Sequence, residues 1–466
     1  MADPSPPTPS PPGTSAGRRP NILLINCDDL GYGDLGCYGS PVNRTPFLDH
    51  LAATGMRLTD FYMASPVCSP SRGAMLTGCY PARIGFGSFD GELVLFPGMG
   101  LGLAPEERTF AARLRELGYA TMLIGKWHCG DQPGFLPTDH GFDRFFGLPY
   151  SNDMGRQAGA DRDFPPLPLM DDADVVQEQP DQASLTERYT AEAVGFIREH
   201  RDEPFLLYLA HMHVHAPIYT PEHLLKASAN GRYGAAVAAI DWSTGAILSE
   251  LRNLGLAEDT LVVFTSDNGS RAHSGASNSP LRGAKGSTWE GGQRVPCLIS
   301  WPGRIPAGEL RDDLMTALDL LPTFVELAGG DPVTDVDGTS FARALTSPPA
   351  DPVRREFGYF HRDSLEAIRV GHWKLHLRKG ETPMRALFDL AADPGETTDV
   401  ATDHPKVVAD LEEAAGRLRA DLGDAAEGIT GSGCRPIGRV ATPEPLTRYD
   451  PDHPYLVAEY DQHDRG

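Results

Sequence analysis

The stretch Cys68-Ser69-Pro70-Ser71-Arg72, continuing as Gly73-Ala74-Met75-Leu76-Thr77-Gly78, is the sharpest chemical signal in the chain. Pro70 suits the first turn of a helix, which sets Cys68 at that helix's N-terminus. Unpaired N–H groups and the helix dipole favour an anion there, and Arg72 adds a fixed positive charge. Two oxygen-rich pairs, Asp28-Asp29 and Asp267-Asn268, each follow an apolar run. They offer only oxygen ligands, a set suited to a hard cation, calcium or magnesium, rather than zinc. A third run, Ala120 to Ile124, leads to Lys126 and His128. A fourth, Phe205 to Leu209, leads to His211, His213 and His215. Histidines are the simplest groups for moving protons near neutral pH.

Short, nearly continuous apolar runs suit strands covered on both faces. Helical patterns separate them: Thr45 to Thr54, Phe110 to Leu117, Leu185 to Arg198 and Tyr233 to Leu254. Strands alternating with helices predict an α/β fold with a large, mostly parallel sheet flanked by helices. Ligands bind such sheets beyond the carboxyl ends of the strands, so the four reactive strand ends converge on one site. After about Leu345 the texture changes. Phe357 to Phe360, Ala367 to Val370, Trp373 to Leu377 and Ala386 to Leu390 read as an antiparallel sheet, and Pro405 to Leu422 as an amphipathic helix. The predicted organisation is a disordered Pro-rich leader (1–19), a catalytic α/β domain (20–345), a smaller α+β domain (346–422) and an extended tail (423–466). The tail either wraps the body or meets another subunit.

Length and composition are those of an ordinary globular chain: 466 residues, 40% hydrophobic and 23% charged. With 41 basic and 64 acidic residues the net charge is −23, which argues against nucleic acid or an anionic membrane surface as a partner. Seven cysteines without a CxxC pair or zinc spacing do not make a disulfide scaffold and fit a reducing compartment. Arg18-Arg19 precedes an apolar run too short for an export signal, and no segment reaches the roughly 20 apolar residues that span a bilayer. A cytoplasmic location is the simplest expectation, and a homo-oligomer is plausible by base rate alone.

Taken together, the motifs resemble those of the sulfatase family in the alkaline phosphatase-like superfamily, most of all its arylsulfatase A and N-acetylgalactosamine-6-sulfatase branch. The matching stretches are Pro20-Asn21-Ile22 through Asp28-Asp29 to Gly39, the CSPSR segment, Gly125-Lys126-Trp127-His128, and Gly141-Phe142 to Tyr150-Ser151. They continue with His215-Ala216-Pro217, Ser266-Asp267-Asn268-Gly269, Gly283-Ala284-Lys285-Gly286 to Glu290-Gly291-Gly292, and Asp389-Leu390 with Asp393-Pro394-Gly395-Glu396. The likeness runs in order from about Arg19 to about Asp399.

The resemblance implies a sulfuric ester hydrolase acting on aryl sulfates or small sulfated sugars. Cys68 would be oxidised to formylglycine by a separate formylglycine-generating enzyme. The hydrated aldehyde would attack sulfur, then collapse and expel sulfate by C–O cleavage. Asp28, Asp29, Asp267, Asn268 and the converted Cys68 would hold calcium, with magnesium or manganese as substitutes. Lys126 and Lys285 would bind the sulfate oxygens, with Ser151 beside them. His128 would accept the proton at collapse, and His215, helped by Lys285, would protonate the leaving alcohol. Arg72 would steady the hydrate. His211 and His213, facing the same way as His215 on an extended chain, are candidates to line the pocket. Tyr32, Arg282 and Trp289 either shape the entrance or are structural. Substrate choice is expected in the loops Phe86 to Leu103 and Asn152 to Gln182. Two alternatives stay open: a phosphonate or phosphate ester hydrolase of the same superfamily, or a binding protein without turnover if Cys68 is never converted.

Overall fold

A computed structural model describes residues 19–157, 162–271, 275–347, 352–452 and 458–462. Except for Arg19, the expected leader lies outside the described residues.

The strands Asn21–Cys27, Phe205–Ala210 and Thr260–Ser266 are buried at every position, and Ala120–Lys126 at all but its first. Their β-branched, leucine and aromatic residues fill both faces of a ten-stranded sheet. Its order is Glu309–Arg311, Met56–Leu58, Cys297–Ser300, Thr260–Ser266, Asn21–Cys27, Phe205–Ala210, Ala120–Lys126, Arg144–Leu148, Pro168–Asp171, Asp174–Glu178. The run from Thr260–Ser266 to Arg144–Leu148 is parallel throughout, and antiparallel strands flank it on both sides. The sheet is therefore the large, mostly parallel one expected. Sequence reading passed over its outer strands because they are short, and Asp174–Glu178 is exposed or half-buried along its whole length.

Register sets the site. Cys27 pairs with Ser266, so Asp28 and Asp267 leave the sheet side by side. Gly125 pairs with Ala210, so Lys126 and His211 leave at the same level one strand away. Gly125 has φ 104°, and a Cβ there would fall 1.9 Å from the Ala210 carbonyl oxygen. Only glycine lets these strands close up immediately before Lys126.

Apolar helix faces cover the sheet. Cys68–Thr77 is buried along its entire length and ends at Gly78 in the left-handed conformation. Pro46–Thr54, Phe110–Glu116, Leu185–Glu199 and Gly231–Asn253 lie within two residues of the helices read from the sequence.

The C-terminal region is a four-stranded antiparallel sheet in sequential order, Glu356–His361, Ser364–Val370, Trp373–Lys379 and Thr382–Asp389, with helix Pro405–Leu422 packed on it. Its core is continuous with the larger body: Phe357, Tyr359, Leu375 and Leu411 share one apolar cluster with Tyr62, Ala74, Tyr80 and Leu318. A buried charge network joins the two parts as well. Lys374 Nζ sits 2.9 Å from Glu290 Oε1 and 3.0 Å from Glu396 Oε1, and donates to the Thr288 carbonyl. Tyr62 and Tyr359 both donate to Glu290, and Arg369 and Arg294 converge on Asp60.

The tail returns across the body. Gly438–Arg439 pairs with Leu101–Gly102, Arg435 bridges to Glu107, and the buried Tyr460 donates to the Pro180 carbonyl. Among the described residues no helix is long and apolar enough to cross a membrane.

Breaking a buried pair leaves the partner charge uncompensated, at a cost of roughly 3–5 kcal/mol. Lys374→Met removes the nearest cation of both Glu290 and Glu396, and although Arg294 still lies 3.4 Å from Glu290, Glu396 loses its ammonium partner, so urea unfolding should show a loss of that order. A loss under ~1 kcal/mol would mean that the apolar contacts alone dock the C-terminal sheet.

Candidate active site

The turns after Asn21–Cys27 and Thr260–Ser266 bring Asp28, Asp29 and Asp267 together, with one oxygen of each within 4.8 Å of the others and all three buried. Asp29 is held at φ 62°, a left-handed conformation that turns its carboxylate back toward its neighbours. Asn268 donates from Nδ2 to Asp29 Oδ1 at 2.7 Å. Two acceptor oxygens in this cup, Asp28 Oδ1 and Asn268 Oδ1, are buried without a hydrogen-bond partner. Buried acceptors are rarely left so, and orphaned oxygens beside clustered carboxylates fit a hard cation. The burial of Asn268 also rules out a glycan on the Asn268-Gly269-Ser270 sequon.

Cations surround the cup. Arg72, on the second turn of helix Cys68–Thr77, donates from Nε to Asp267 Oδ2 at 2.8 Å, and its Nη2 lies 3.6 Å from Asp28 Oδ2. Its Nη1 donates to the Lys126 carbonyl at 2.9 Å. Lys126 Nζ donates to Asp28 Oδ2 at 2.5 Å and Ser151 Oγ at 3.2 Å. Lys285 Nζ donates to Asp29 Oδ2 at 3.0 Å from the opposite side. Burial works against ionisation of Asp28, but Lys126, His215, Arg72 and Lys285 override it and hold the carboxyl well below its usual range. Asp267 goes the other way, pushed up by burial and by the charge of Asp28.

The two histidines differ in environment. His128 Nε2 lies 2.9 Å from the Leu95 carbonyl, which can only accept, so Nε2 carries the hydrogen and the buried Nδ1 keeps its lone pair. Burial and Lys126 drive its pKa well below 6.5. His215 Nδ1 lies 2.6 Å from the Ala216 carbonyl, which leaves Nε2 free, 3.9 Å from Asp29 Oδ2. Burial and Lys285 oppose its protonation, yet Asp28, Asp29 and Asp153 outweigh them and raise the pKa.

Cys68, only 2% exposed, lies between these groups, its Sγ clustered with Asp28 and His215. A cavity of about 270 Å³ opens over it, walled by His128, Ser151, His215 and Lys285. The residues expected as catalytic groups and metal ligands thus gather at one rim of the sheet, where Cys68, His128, Ser151, His215 and Lys285 line the cavity and Arg72 and Lys126, paired with the carboxylates, do not. His211 and His213 do not line this cavity. The strand ends at Ala210, His211 still donates its N–H to the Asn26 carbonyl, and the chain turns at His213 and Val214, so the alternation assumed for an extended segment is broken before His215. Arg282 and Trp289 lie outside it too. Arg282 stacks over Trp289 and donates to the Glu396 carbonyl, and Trp289 packs on His376 and Phe388, which makes both part of the docking of the C-terminal sheet. Tyr32 donates to the Thr59 carbonyl and is likewise structural.

Sequence reading missed Asp153 as an individual residue and Arg362 altogether. Asp153 sits inside a loop expected to set specificity. Arg362 stands at the turn between Glu356–His361 and Ser364–Val370, and nothing in the local sequence signals that this turn reaches the pocket.

Residues 20–330 match the family profile described as Sulfatase, and residues 284–421 match the one described as N-sulphoglucosamine sulphohydrolase, C-terminal. The chain belongs to the sulfatase family. Arylsulfatase A of Homo sapiens is 38% identical to this sulfatase over 452 residues, covering 86% of this chain and 88% of the relative. N-acetylgalactosamine-6-sulfatase of Canis lupus familiaris is 40% identical over 378 residues, covering 78% and 72%. The solved structure of PsFucS1 sulfatase from Pseudoalteromonas sp. superposes with a TM-score of 0.78 at 28% identity, covering 89% of this chain and 92% of the other. The sulfatase has the alkaline phosphatase-like fold expected from its sequence.

If the orphaned oxygens form a cation site, calcium or magnesium added to the metal-depleted sulfatase should raise its unfolding midpoint. The gain is about 2.7 kcal/mol at a hundredfold excess over Kd. Asn268→Leu should shrink that gain. A midpoint that no divalent cation moves would rule the site out.

Proposed function

We propose that this sulfatase hydrolyses sulfate monoesters of small aromatic or sugar alcohols to the alcohol and inorganic sulfate, with an oxidised Cys68 as nucleophile and a hard divalent cation, calcium by preference, in the carboxylate cup. The observation that carries this reading is the position of Cys68, between a cup of carboxylates with orphaned oxygens and a cavity walled by Lys285, His128 and His215. An aldehyde hydrate at position 68 supplies an oxygen nucleophile and a second hydroxyl that lets sulfate depart by C–O cleavage. Asp28, Asp29, Asp267 and Asn268 would hold the cation, which would supply the Lewis acidity that lowers the pKa of the attacking hydroxyl.

The remaining work falls to the chain's own side chains. Lys285 brings a fixed ammonium group to the cavity wall for the sulfate oxygens, with the Ser151 hydroxyl alongside, and Lys126, buried behind Ser151 and paired with Asp28, adds its charge to the same field. Three carboxylates already balance Arg72, Lys126 and Lys285, so a bound divalent ion gives the pocket a positive surplus that suits an anionic ester. His128 offers the Nδ1 lone pair as proton acceptor for the hydroxyl that remains. His215, on the cavity wall with Nδ1 held by the Ala216 carbonyl, has Nε2 left to donate the proton that the leaving alcohol needs. Arg72 touches no open part of the pocket. It is a positioning residue that locks Asp267 and the Lys126 backbone to helix Cys68–Thr77. Because Cys68 and that whole helix are buried, the formylglycine-generating enzyme would have to reach the thiol before the chain closes over it.

Mass spectrometry of the Cys68 peptide from native protein should show the lighter aldehyde form, and the same material should release sulfate from an aryl sulfate. Cys68→Ala should lower kcat/KM by at least roughly a thousandfold, as for other lost nucleophiles. An intact thiol in inactive native protein would leave only ester binding. Faster turnover of the matching aryl phosphonate than of the sulfate would reassign the substrate.

A further inference from the structure

The groups proposed to handle sulfate occupy one end of the cavity, and its other wall takes no part in that chemistry. That wall carries apolar side chains (Val67, Leu93, Val94, Phe96, Met154) and three charged ones, Glu92, Asp153 and Arg362. Two of the charges are spoken for. Glu92 Oε1 accepts from Arg162 Nη2 at 2.7 Å, and Arg362 Nη1 donates to the Gly91 carbonyl at 2.7 Å. Asp153 differs: its Oδ1 is buried and has no hydrogen-bond partner.

A carboxylate on the wall of an anion pocket repels the ester, and an unpartnered buried oxygen adds a desolvation cost. The loop nonetheless holds Asp153 in place. Asn152, on one side, donates to Gln182 Oε1 and to the Pro217 carbonyl, and its own carbonyl accepts from Gln182 Nε2. Met154, on the other, donates its N–H to the Ser151 carbonyl. Such anchoring presents a side chain to a ligand with little entropy left to lose. Asp153 also lies close enough to His215, the residue assigned to the leaving oxygen, for its charge to act on that ring. The terminal torsion of a carboxylate is soft, so either oxygen can turn to meet a donor.

We propose that Asp153 is a specificity-determining residue, which accepts a hydrogen bond from a hydroxyl or N–H on the alcohol portion of the substrate, next to the ester oxygen. The preferred substrates are then sulfate esters of diols, catechols or amino alcohols, with the ring body against Phe96, Val94 and Met154. Esters of plain phenols fill the same space but leave Asp153 unpaired. This rests on the sulfatase reading and adds to it the donor that the alcohol must carry.

Two probes differ in that donor alone: 4-nitrophenyl sulfate, and 2-hydroxy-4-nitrophenyl sulfate, which adds a hydroxyl ortho to the ester and meta to the nitro group. The readout is the ratio of kcat/KM, catechol over phenyl, in wild type, Asp153→Ala and Asp153→Asn. Comparing ratios between proteins cancels the different reactivities of the two leaving groups. Loss of a hydrogen bond to a charged acceptor should lower the ratio about tenfold or more in Asp153→Ala, and less in the near-isosteric Asp153→Asn. Thermal melts of both variants establish that they are folded. If both substrates slow equally, so that the ratio stays at the wild-type value in both folded variants, Asp153 acts only through His215 and the proposal fails. If wild-type protein with a confirmed aldehyde at position 68 turns over neither ester, the sulfatase reading falls and this inference falls with it.

Discussion

Like charges buried side by side are the constraint on which the structure turns. Asp28, Asp29 and Asp267 meet at the rim of the sheet with water excluded, where mutual repulsion and lost hydration would together unfold an unsupported loop. Each carboxylate is answered by a cation from a different part of the chain: Arg72 from the helix behind Cys68, Lys126 from the next strand but one, and Lys285 from a loop far along the sequence. The same cations that make the cup tolerable also surround the position where an anionic ester would sit. On the proposed function, stability and catalysis draw on one set of charges, and Asp28 and Asn268 each keep an acceptor oxygen without a partner.

The need to hold those cations explains the buried polar layer between the two sheets. Lys285 belongs to a loop that runs on through Thr288, Trp289 and Glu290. Lys374 grips it at the Thr288 carbonyl and at Glu290, Glu396 accepts the Glu290 N–H, and Arg282 stacks over Trp289. The C-terminal sheet thus acts at a distance on the sulfate end of the pocket through this loop, and directly on its mouth through Arg362. The tail adds a further tie. By pairing with Leu101–Gly102 it steadies the segment that supplies Glu92, Leu93, Val94 and Phe96 to the cavity wall. The pieces of chain after residue 345 are in this sense parts of the site, although they carry none of the reactive groups.

The reactive groups were legible in the sequence because each sits at the end of an apolar run or at the head of a helix, where local pattern and position in an α/β sheet coincide. Asp28 and Asp267 could be placed as neighbours once their strands were read as parallel and buried. The central strands and the long helices were legible for the same reason, since burial on both faces leaves a continuous apolar signature. The outer strands Met56–Leu58, Glu309–Arg311 and Asp174–Glu178 were not, because edge pairing depends on a neighbour's backbone and leaves little trace in side-chain type. His211 and His213 misled through an assumption of extended chain that fails at the turn of His213 and Val214, before His215.

The sequence by itself determined the chemistry of the site: which side chains are present, in what order, and at which strand ends. These follow from local patterns of polarity and from motif order, both of which are linear properties. Tertiary structure alone decided which of those side chains pair, which nitrogen of each histidine is taken up by a backbone carbonyl, and that Arg362 and Asp153 reach the cavity wall. Those outcomes depend on distances between segments far apart in the chain, Lys126 from Asp28 by 98 residues and Arg72 from Asp267 by 195, and no local signal encodes a distance of that kind.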